Sequence, residues 1–378
     1  MKKIKAYLLV DGLGKSSAEK YGLAAAFPSA IGVKPQFDCA AAAAIFSGQP
    51  PRAGGAFAPF CFAEKRSPFA KFAYLKYCFG AGLHPKCLFN TRAARRFISG
   101  ALAKKFSLPK SFDILNVPYE SLARFDVARN SDIFAANGSG GAENLRGVLE
   151  KSRIKYFVST ADKSDDEILR DATEAAENGA CFVFAKLRRT EKFLRGNIKD
   201  ENAVRGYFES FGKLVARFSA RLKAVSEDAE ISVLSGYEIV ECKSVCDIKE
   251  LLKKSGLSFG RGFDAFVAPD HVLFKYDSDD AKGKIRAALV GVSGHFMSEA
   301  EKSAFGIDFG DRRFGDDIFA ADSGTEFSPN FVYAGTREGV ASISAQACML
   351  SQKKAPPKAE SVSDFFEIMK SDIAECAR

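Results

Sequence analysis

The chain has 378 residues, of which 47% are hydrophobic and 27% are charged, and its formal net charge is +8. This composition is typical of a folded globular protein and excludes a disordered or fibrous chain. The positive charge is spread along the sequence, and no block of lysine and arginine is long enough to indicate nucleic-acid binding.

Cysteine usage and hydropathy predict the compartment. The nine cysteines are an odd number and lack the close spacing of a metal site, so we predict reduced thiols in a cytoplasmic protein. The apolar run before Asp11 is too short for a signal-peptide core. No apolar run approaches the ~20 residues of a membrane helix, so no membrane partner is expected.

The first informative stretch of the sequence ends at Gly14. An apolar run over residues 6–10 stops at Asp11, and glycines follow at positions 12 and 14. This pattern predicts a strand that is buried on both faces of a parallel sheet. A carboxylate at the C-terminal end of such a strand lies where open α/β sheets place their ligands. Asp11 is therefore either a ligand-binding residue or a solvated strand end.

The second informative stretch covers residues 27–55. Alanines at positions 40–44 lead into Ile45 and Phe46, which predicts a helix that packs closely under the sheet. Gly48 and the prolines at 50 and 51 end this helix. Asp38 is placed to cap its N-terminus. Cys39 follows, where a helix N-terminus favours a thiolate nucleophile.

Helices and strands alternate along the rest of the chain. Helices are predicted at 145–151, 165–178 and 200–225, and strands at 155–159, 180–185 and 230–235. This alternation predicts a three-layer α/β/α sandwich with a mostly parallel central sheet.

The order of these motifs resembles the alkaline phosphatase superfamily, and within it the type I phosphodiesterase and nucleotide pyrophosphatase-like branch. The resemblance rests on the strand ending at Asp11, the small-residue helix that begins near Asp38, and the Ser-Gly-x-Pro sequence at 47–50; it continues at 306–309, 314–319 and 328–331. It implies that Asp11 binds a metal ion. It places the nucleophile at Asp38 or Cys39, although the family uses a hydroxyl residue there.

The resemblance also implies five further metal-ligand positions, and none of them carries the aspartate or histidine of the family: Arg189, Phe193, Gly236, Tyr237 and Ala341. Catalysis in such families uses two divalent ions that clamp the attacking and leaving oxygens. Each ion requires several anionic or imidazole ligands, which Asp11 alone does not supply. The sequence therefore predicts that the two-metal chemistry is lost.

The resemblance implies a division of the chain into a core and two additions. The alkaline phosphatase-like core is predicted at 1–55 and 136–350, with an inserted cap at 56–135. Residues 351–378 are predicted to be a linker and a final helix that packs on the core.

Two functions remain open at this point. The first is a catalytically inactive scaffold (a pseudoenzyme) without a cofactor, whose cleft binds a phosphorylated or other anionic small molecule. Arg189 would then pair with Asp11 or face the anion. The second is an active phosphoric-ester hydrolase with a site rebuilt around Asp11 and Asp38 or Cys39, with a single Mg²⁺, Mn²⁺ or Zn²⁺ at Asp11. Neither hypothesis predicts a nucleic-acid partner, and both leave the oligomeric state open.

Overall fold

The structure is a computed structural model. It describes residues 3–55, 57–58, 60–74, 92–106, 121–128, 134–135, 143–159, 163–328, 337–353 and 358–378. The strands in this part of the chain are β1 (Lys5–Val10), β2 (Ser29–Val33), β3 (Phe60–Phe62), β4 (Phe125–Val127), β5 (Tyr156–Ser159), β6 (Phe182–Leu187), β7 (Glu230–Leu234), β8 (Glu238–Glu241), β9 (Ser244–Cys246), β10 (Phe263–Val267), β11 (His271–Tyr276), β12 (Gly294–Phe296), β13 (Asp317–Ala321), β14 (Thr325–Phe327), β15 (Gly339–Ser342) and β16 (Ala347–Ser351). The helices are α1 (Lys15–Lys20), α2 (Asp38–Ser47), α3 (Pro51–Gly54), α4 (Arg92–Phe106), α5 (Leu145–Ser152), α6 (Asp165–Glu177), α7 (Arg189–Asn197), α8 (Glu201–Val225), α9 (Ile248–Lys254), α10 (Asp279–Ala288), α11 (Glu299–Phe305) and α12 (Phe365–Cys376).

The chain divides into two compact units. The first comprises Met1–Gly54, Ile133–Glu241 and Ala341–Arg378, and the second comprises Gly55–Asp132 and Cys242–Val340. This division groups residues 242–340 with the segment predicted as a cap, whereas the sequence-based division placed them in the core. The sequence-based domain limits stay a prediction, and residues 56, 59, 75–91, 107–120 and 129–133 of the predicted cap lie outside the described part.

The first unit is built on a six-stranded sheet with the strand order β2-β16-β7-β1-β6-β5. Strand β1 is parallel to both of its neighbours, β6 and β7, and β5 is parallel to β6. Strand β16 runs antiparallel to β7 and β2. The predicted mostly parallel central sheet is therefore confirmed.

Strand β1 is buried on both faces, because its side chains alternate between two cores. Tyr7 and Leu9 pack in one hydrophobic cluster, whereas Ala6, Leu8 and Val10 pack in the other. The first cluster includes side chains of α2, α5 and α12, and the second includes side chains of α6 and α8. The predicted three-layer α/β/α sandwich is confirmed.

The most informative difference from the predicted elements concerns β6. The apolar pattern predicted a strand at 180–185, but the strand extends from Phe182 to Leu187 and includes Lys186. A lysine therefore lies within the sheet, next to the end of β1. The helix predicted near the end of the sequence corresponds to α12.

The second unit contains a four-stranded antiparallel sheet with the order β10-β11-β13-β12. Strand β14 pairs with β9, and β3 pairs with β4. Its hydrophobic core is rich in phenylalanine, including Phe263, Phe274, Phe319 and Phe327. These smaller sheets are additional to the central sheet of the first unit.

Some predicted features fall on residues that the structure does not describe. They are part of the 328–331 segment (329–331) and most of the linker before α12 (354–357). None of the helices in the described ranges combines the length and hydropathy that a membrane crossing requires.

Candidate functional site

The carboxylate of Asp11 is held by a lysine on the neighbouring strand. In the parallel pairing of β1 and β6, Leu9 lies opposite Lys186, which places Lys186 beside the C-terminal end of β1. Its Nζ is 2.8 Å from Asp11 Oδ2, and the two side chains are 12% and 9% exposed. An ammonium group therefore neutralises Asp11 where the resemblance implies a divalent cation.

The turn after Asp11 brings the strand end close to helix α7. Gly12 adopts a φ of +82°, a conformation that side chains with a Cβ rarely tolerate. Its carbonyl accepts a hydrogen bond from the backbone N–H of Ile239 at 3.0 Å. A Cβ at this position would lie 2.7 Å from Ile239 Cγ1 and 3.4 Å from Glu191 Cα. The glycine thus allows close approach of the protein's own backbone.

A second set of charges is centred on Arg195. On α7, Glu191 and Arg195 are four residues apart and share a helical face, with Arg195 Nε 2.8 Å from Glu191 Oε1. Arg195 Nη2 lies 3.0 Å from Asp38 Oδ2, at the start of α2. The guanidinium therefore bridges two carboxylates from different helices. We call the five residues Asp11, Asp38, Lys186, Glu191 and Arg195 the charge network.

Tyr237 joins this network as a neutral donor. It follows strand β7, is only 4% exposed, and its hydroxyl donates a hydrogen bond to the Glu191 carboxylate. Burial, and next the negative charges of Glu191, Asp11 and Asp38, raise the pKa of Tyr237 well above its ordinary value. Tyr237 therefore remains a phenol and does not supply an anionic ligand.

The carboxylates and cations of the network influence one another's protonation. Burial raises the pKa of the Asp11 carboxyl above its ordinary value, although Lys186 acts in the opposite direction. Burial also acts to raise the pKa of Glu191, but the positive charges of Arg195 and Lys186 outweigh it. The pKa of Glu191 is therefore lowered. Burial acts against the charge of Arg195, yet Glu191 and Asp38 raise its pKa. Of these two carboxyl groups, Asp11 is the one whose ionised form is disfavoured.

Two of the positions implied by the resemblance lie away from Asp11. Arg189 is exposed, with Nη1 3.9 Å from Asp166 Oδ2, so its predicted pairing with Asp11 is wrong. Phe193 stacks on Tyr207 with 4.3 Å between ring centroids and packs against the hydrophobic core. The reason is that residues 189–197 form a helix, which turns these side chains to other faces.

The other implied positions serve packing. A Cβ added to Gly236 would lie 2.5 Å from the Cβ of Ala41, and the Gly236 carbonyl accepts a hydrogen bond from the Gln36 N–H at 3.0 Å. Ala341 is half-buried against the hydrophobic core of the first unit. Neither side chain offers a donor atom for a metal.

The two candidate nucleophiles differ in their surroundings. The N-cap of α2 is Phe37 and Asp38 is the first helical residue, so the predicted capping role of Asp38 is wrong. Its carboxylate is engaged by Arg195 instead. Cys39 is exposed on the first turn of α2.

Three members of the charge network were not predicted from the sequence: Lys186, Glu191 and Arg195. Lys186 is the charged residue near the end of the otherwise apolar strand β6, which lies beside β1 in the sheet. Glu191 and Arg195 have the i, i+4 spacing of a helical ion pair. Both signals are common in unrelated proteins, so they identify the network only once the strand order is known.

The residues around Asp11 do not fit a pair of divalent cations. Lys186 and Arg195 already contact the carboxylates that would be available as ligands, and their positive charges repel a further cation. Among the described residues, no group of three or more histidine, cysteine, aspartate or glutamate side chains has an arrangement that could hold a metal ion. We therefore derive no chemical step through a metal.

We expect Gly236→Asp to destabilise the protein by about 1–3 kcal/mol, because any side chain at this position collides with Ala41. Urea denaturation followed by circular dichroism measures the change. Gly206→Ala is the matched control, since Gly206 lies in helix α8 with no atom within 4 Å of an added Cβ. The control should be neutral or stabilised by up to about 1 kcal/mol. A Gly236→Asp variant as stable as the unchanged protein would contradict this packing role.

Comparisons with known proteins give a likeness of structure without a likeness of sequence. No family model matches the chain, and no curated protein matches it. A solved structure of an inactive variant of murine ectonucleotide pyrophosphatase/phosphodiesterase 5 in complex with AMP is similar, with a TM-score of 0.65 and 9% sequence identity. The human protein of the same name gives 0.64 and 8%, and a second murine structure gives 0.65 and 10%. Each match covers 99% of this chain and 95% of the other.

These likenesses define the fold. The chain is an α/β protein with the alkaline phosphatase-like fold, as the sequence predicted. Within that class, the structures it resembles over nearly its whole length are ectonucleotide pyrophosphatase/phosphodiesterases, of the type I phosphodiesterase branch. At 8–10% sequence identity, this structural similarity establishes the fold but does not establish an activity.

Proposed function

We propose that this protein is a non-hydrolytic member of the alkaline phosphatase-like fold, a pseudoenzyme that binds a phosphorylated small molecule in the cytoplasm. The observation that carries the proposal is the charge network: Asp11 is paired with Lys186, and Asp38 and Glu191 share Arg195. Side-chain cations thus neutralise the carboxylates for which the fold's relatives would use metal ions.

This replacement supports structure but not phosphoryl transfer. Two divalent ions activate a nucleophile and stabilise the leaving oxygen, and losing them removes many powers of ten in rate. Lys186 and Arg195 cannot take over this work while their charges are engaged by carboxylates. Asp38 is engaged in the same way, which leaves it a poor nucleophile.

A phosphate-bearing ligand is consistent with the same charges. The related murine structure was solved in complex with AMP. In this chain, protonation of Asp11 would make the charge of Lys186 available to an anion, because burial already disfavours the ionised carboxyl. AMP is therefore the first probe to use.

Calorimetric titration with AMP, in EDTA and in excess Mg²⁺ or Zn²⁺, tests this proposal. We expect AMP to bind at least about tenfold more tightly than adenosine, which lacks the phosphate, since one charge-assisted contact contributes on the order of 1.5 kcal/mol. Chromatography should recover the AMP intact. Equal affinities for AMP and adenosine would overturn phosphate recognition. Release of inorganic phosphate that disappears in Asp11→Ala would instead support the rebuilt hydrolase.

A further inference from the structure

A pair of cysteines, Cys181 and Cys376, lies where the edge of the central sheet meets helix α12. Cys181 directly precedes β6 and is 1% exposed, whereas Cys376 is the last residue of α12 and is half-buried. The Sγ of Cys376 is 3.3 Å from the carbonyl oxygen of Cys181. In return, the Sγ of Cys181 is 4.0 Å from the carbonyl oxygen of Cys376. The two residues therefore face each other across the interface between sheet and helix.

The surrounding contacts hold this arrangement in place. The backbone N–H of Lys5 donates to the Cys181 carbonyl at 2.9 Å, which links β1 to the start of β6. On α12, Asp372 accepts a hydrogen bond from the Tyr7 hydroxyl and pairs with Lys353, both at 2.5 Å. Phe365, Met369 and Ile373 of α12 pack in the core below the sheet. Because both sides are well anchored, each thiol is held beside the backbone of the other cysteine.

We propose that Cys181 and Cys376 form an oxidisable pair whose disulfide would staple helix α12 to the central sheet. This proposal is independent of the proposed function, because neither residue belongs to the charge network. In a reducing cytoplasm both residues stay thiols, and the bond would form on exposure to a low-molecular-weight disulfide such as oxidised glutathione.

The chemistry is thiol–disulfide exchange in two steps. The thiolate of Cys376, the more exposed residue, attacks one sulfur of oxidised glutathione and expels a glutathione thiolate, which takes up a proton. Cys181 then loses its proton, attacks the Cys376 sulfur of the mixed disulfide and expels the second glutathione. Two protein thiols are oxidised to one disulfide, and one oxidised glutathione is reduced to two thiols.

The pair should react slowly at neutral pH. A hydrogen bond with the Cys181 thiol, and next burial, raise the pKa of the Cys376 thiol far above its ordinary value. Because the thiolate is the attacking species, the rate of disulfide formation should increase between pH 7 and pH 9. A surface thiol with an ordinary pKa of about 8.5 approaches its maximal rate in this range, whereas the rate of the pair should still be rising at pH 9.

The test uses the whole 378-residue chain with Cys39→Ser, which removes the cysteine that is exposed among the described residues. The protein is incubated with oxidised glutathione at pH 8.5, and separately unfolded and refolded in a glutathione redox buffer. Non-reducing digestion and mass spectrometry identify the linked peptides. We expect a bond between positions 181 and 376, and a rise in melting temperature of roughly 5 °C or more, because the bond closes a long loop.

Two variants complete the test. Cys376→Ser should show no linked peptide and no rise in melting temperature, whereas Cys242→Ser, which removes a buried thiol from the other unit, should behave like the parent. The proposal is overturned if glutathione stays on Cys376 as a mixed disulfide. It is equally overturned if neither the native incubation nor the refolding gives the 181–376 linkage.

Discussion

Replacing Lys186 by methionine is expected to destabilise the protein by about 3–5 kcal/mol near neutral pH, because the substitution leaves Asp11 buried without its partner. Methionine keeps the length and most of the volume of the lysine stem, so the loss reports the charge. Urea denaturation with circular dichroism measures the free energy of unfolding. Lys151→Met is the matched control, since Lys151 pairs with Glu143 at 2.8 Å while 74% exposed. It should change stability by less than about 1 kcal/mol.

The pH dependence of the Lys186→Met variant identifies Asp11 as the cause. Burial already raises the pKa of the Asp11 carboxyl in the folded protein, and removing the lysine removes an influence that lowers it. A group whose pKa is raised by folding stabilises the fold below its unfolded pKa, near 4, and loses that contribution as the pH rises through the folded value. The free energy of unfolding of the variant should therefore be closest to that of the parent protein at about pH 4 and furthest below it near pH 7.

A double substitution tests whether the lost stability comes from the unpaired charge of Asp11. Lys186→Met combined with Asp11→Asn removes both charges, so we expect it to regain a large part of the stability lost in the single variant. If Lys186→Met alone were as stable as the parent at neutral pH, the buried pair would not have the structural role assigned to it.

The sequence was sufficient for the fold because the fold depends on patterns that are local. The apolar run before Asp11 and the alanine helix after Asp38 have unambiguous periodicity, and both elements are observed close to their predicted limits. Burial of β1 on both faces follows from its lack of polar alternation. These features together predicted the position of the C-terminal end of β1, beside which the charge network lies.

The composition of the site depends on contacts between distant segments, which the sequence does not reveal. The placement of metal-ligand positions at Arg189 and Phe193 assumed the backbone course of the family that the sequence resembles, but here that segment is helix α7. The helix places Glu191 and Arg195 on one face, where Arg195 contacts Asp38, and places Phe193 on another face, against the hydrophobic core. Likewise, the position of Lys186 beside the end of β1 follows from the register of β6 on β1, which the sequence alone does not give.

The second large effect concerns metal ions and turnover. An enzyme that depends on two divalent ions loses many powers of ten in rate without them, and its ions bind the folded state and stabilise it. If side-chain cations have replaced the ions, neither dependence should exist. The charge network predicts a protein that folds equally well with and without divalent cations and does not hydrolyse phosphoric esters.

Metal analysis of the purified protein after incubation with Zn²⁺, Mn²⁺ or Mg²⁺ and desalting tests this account most directly, with melting temperature and turnover of p-nitrophenyl phosphate and its bis-ester measured on the same samples. We expect far less than one metal ion per chain, a melting temperature unchanged by EDTA, and hydrolysis of both esters no faster than the uncatalysed reaction in buffer. Stoichiometric Zn²⁺ or Mn²⁺ together with turnover that is abolished in Asp11→Ala would contradict it.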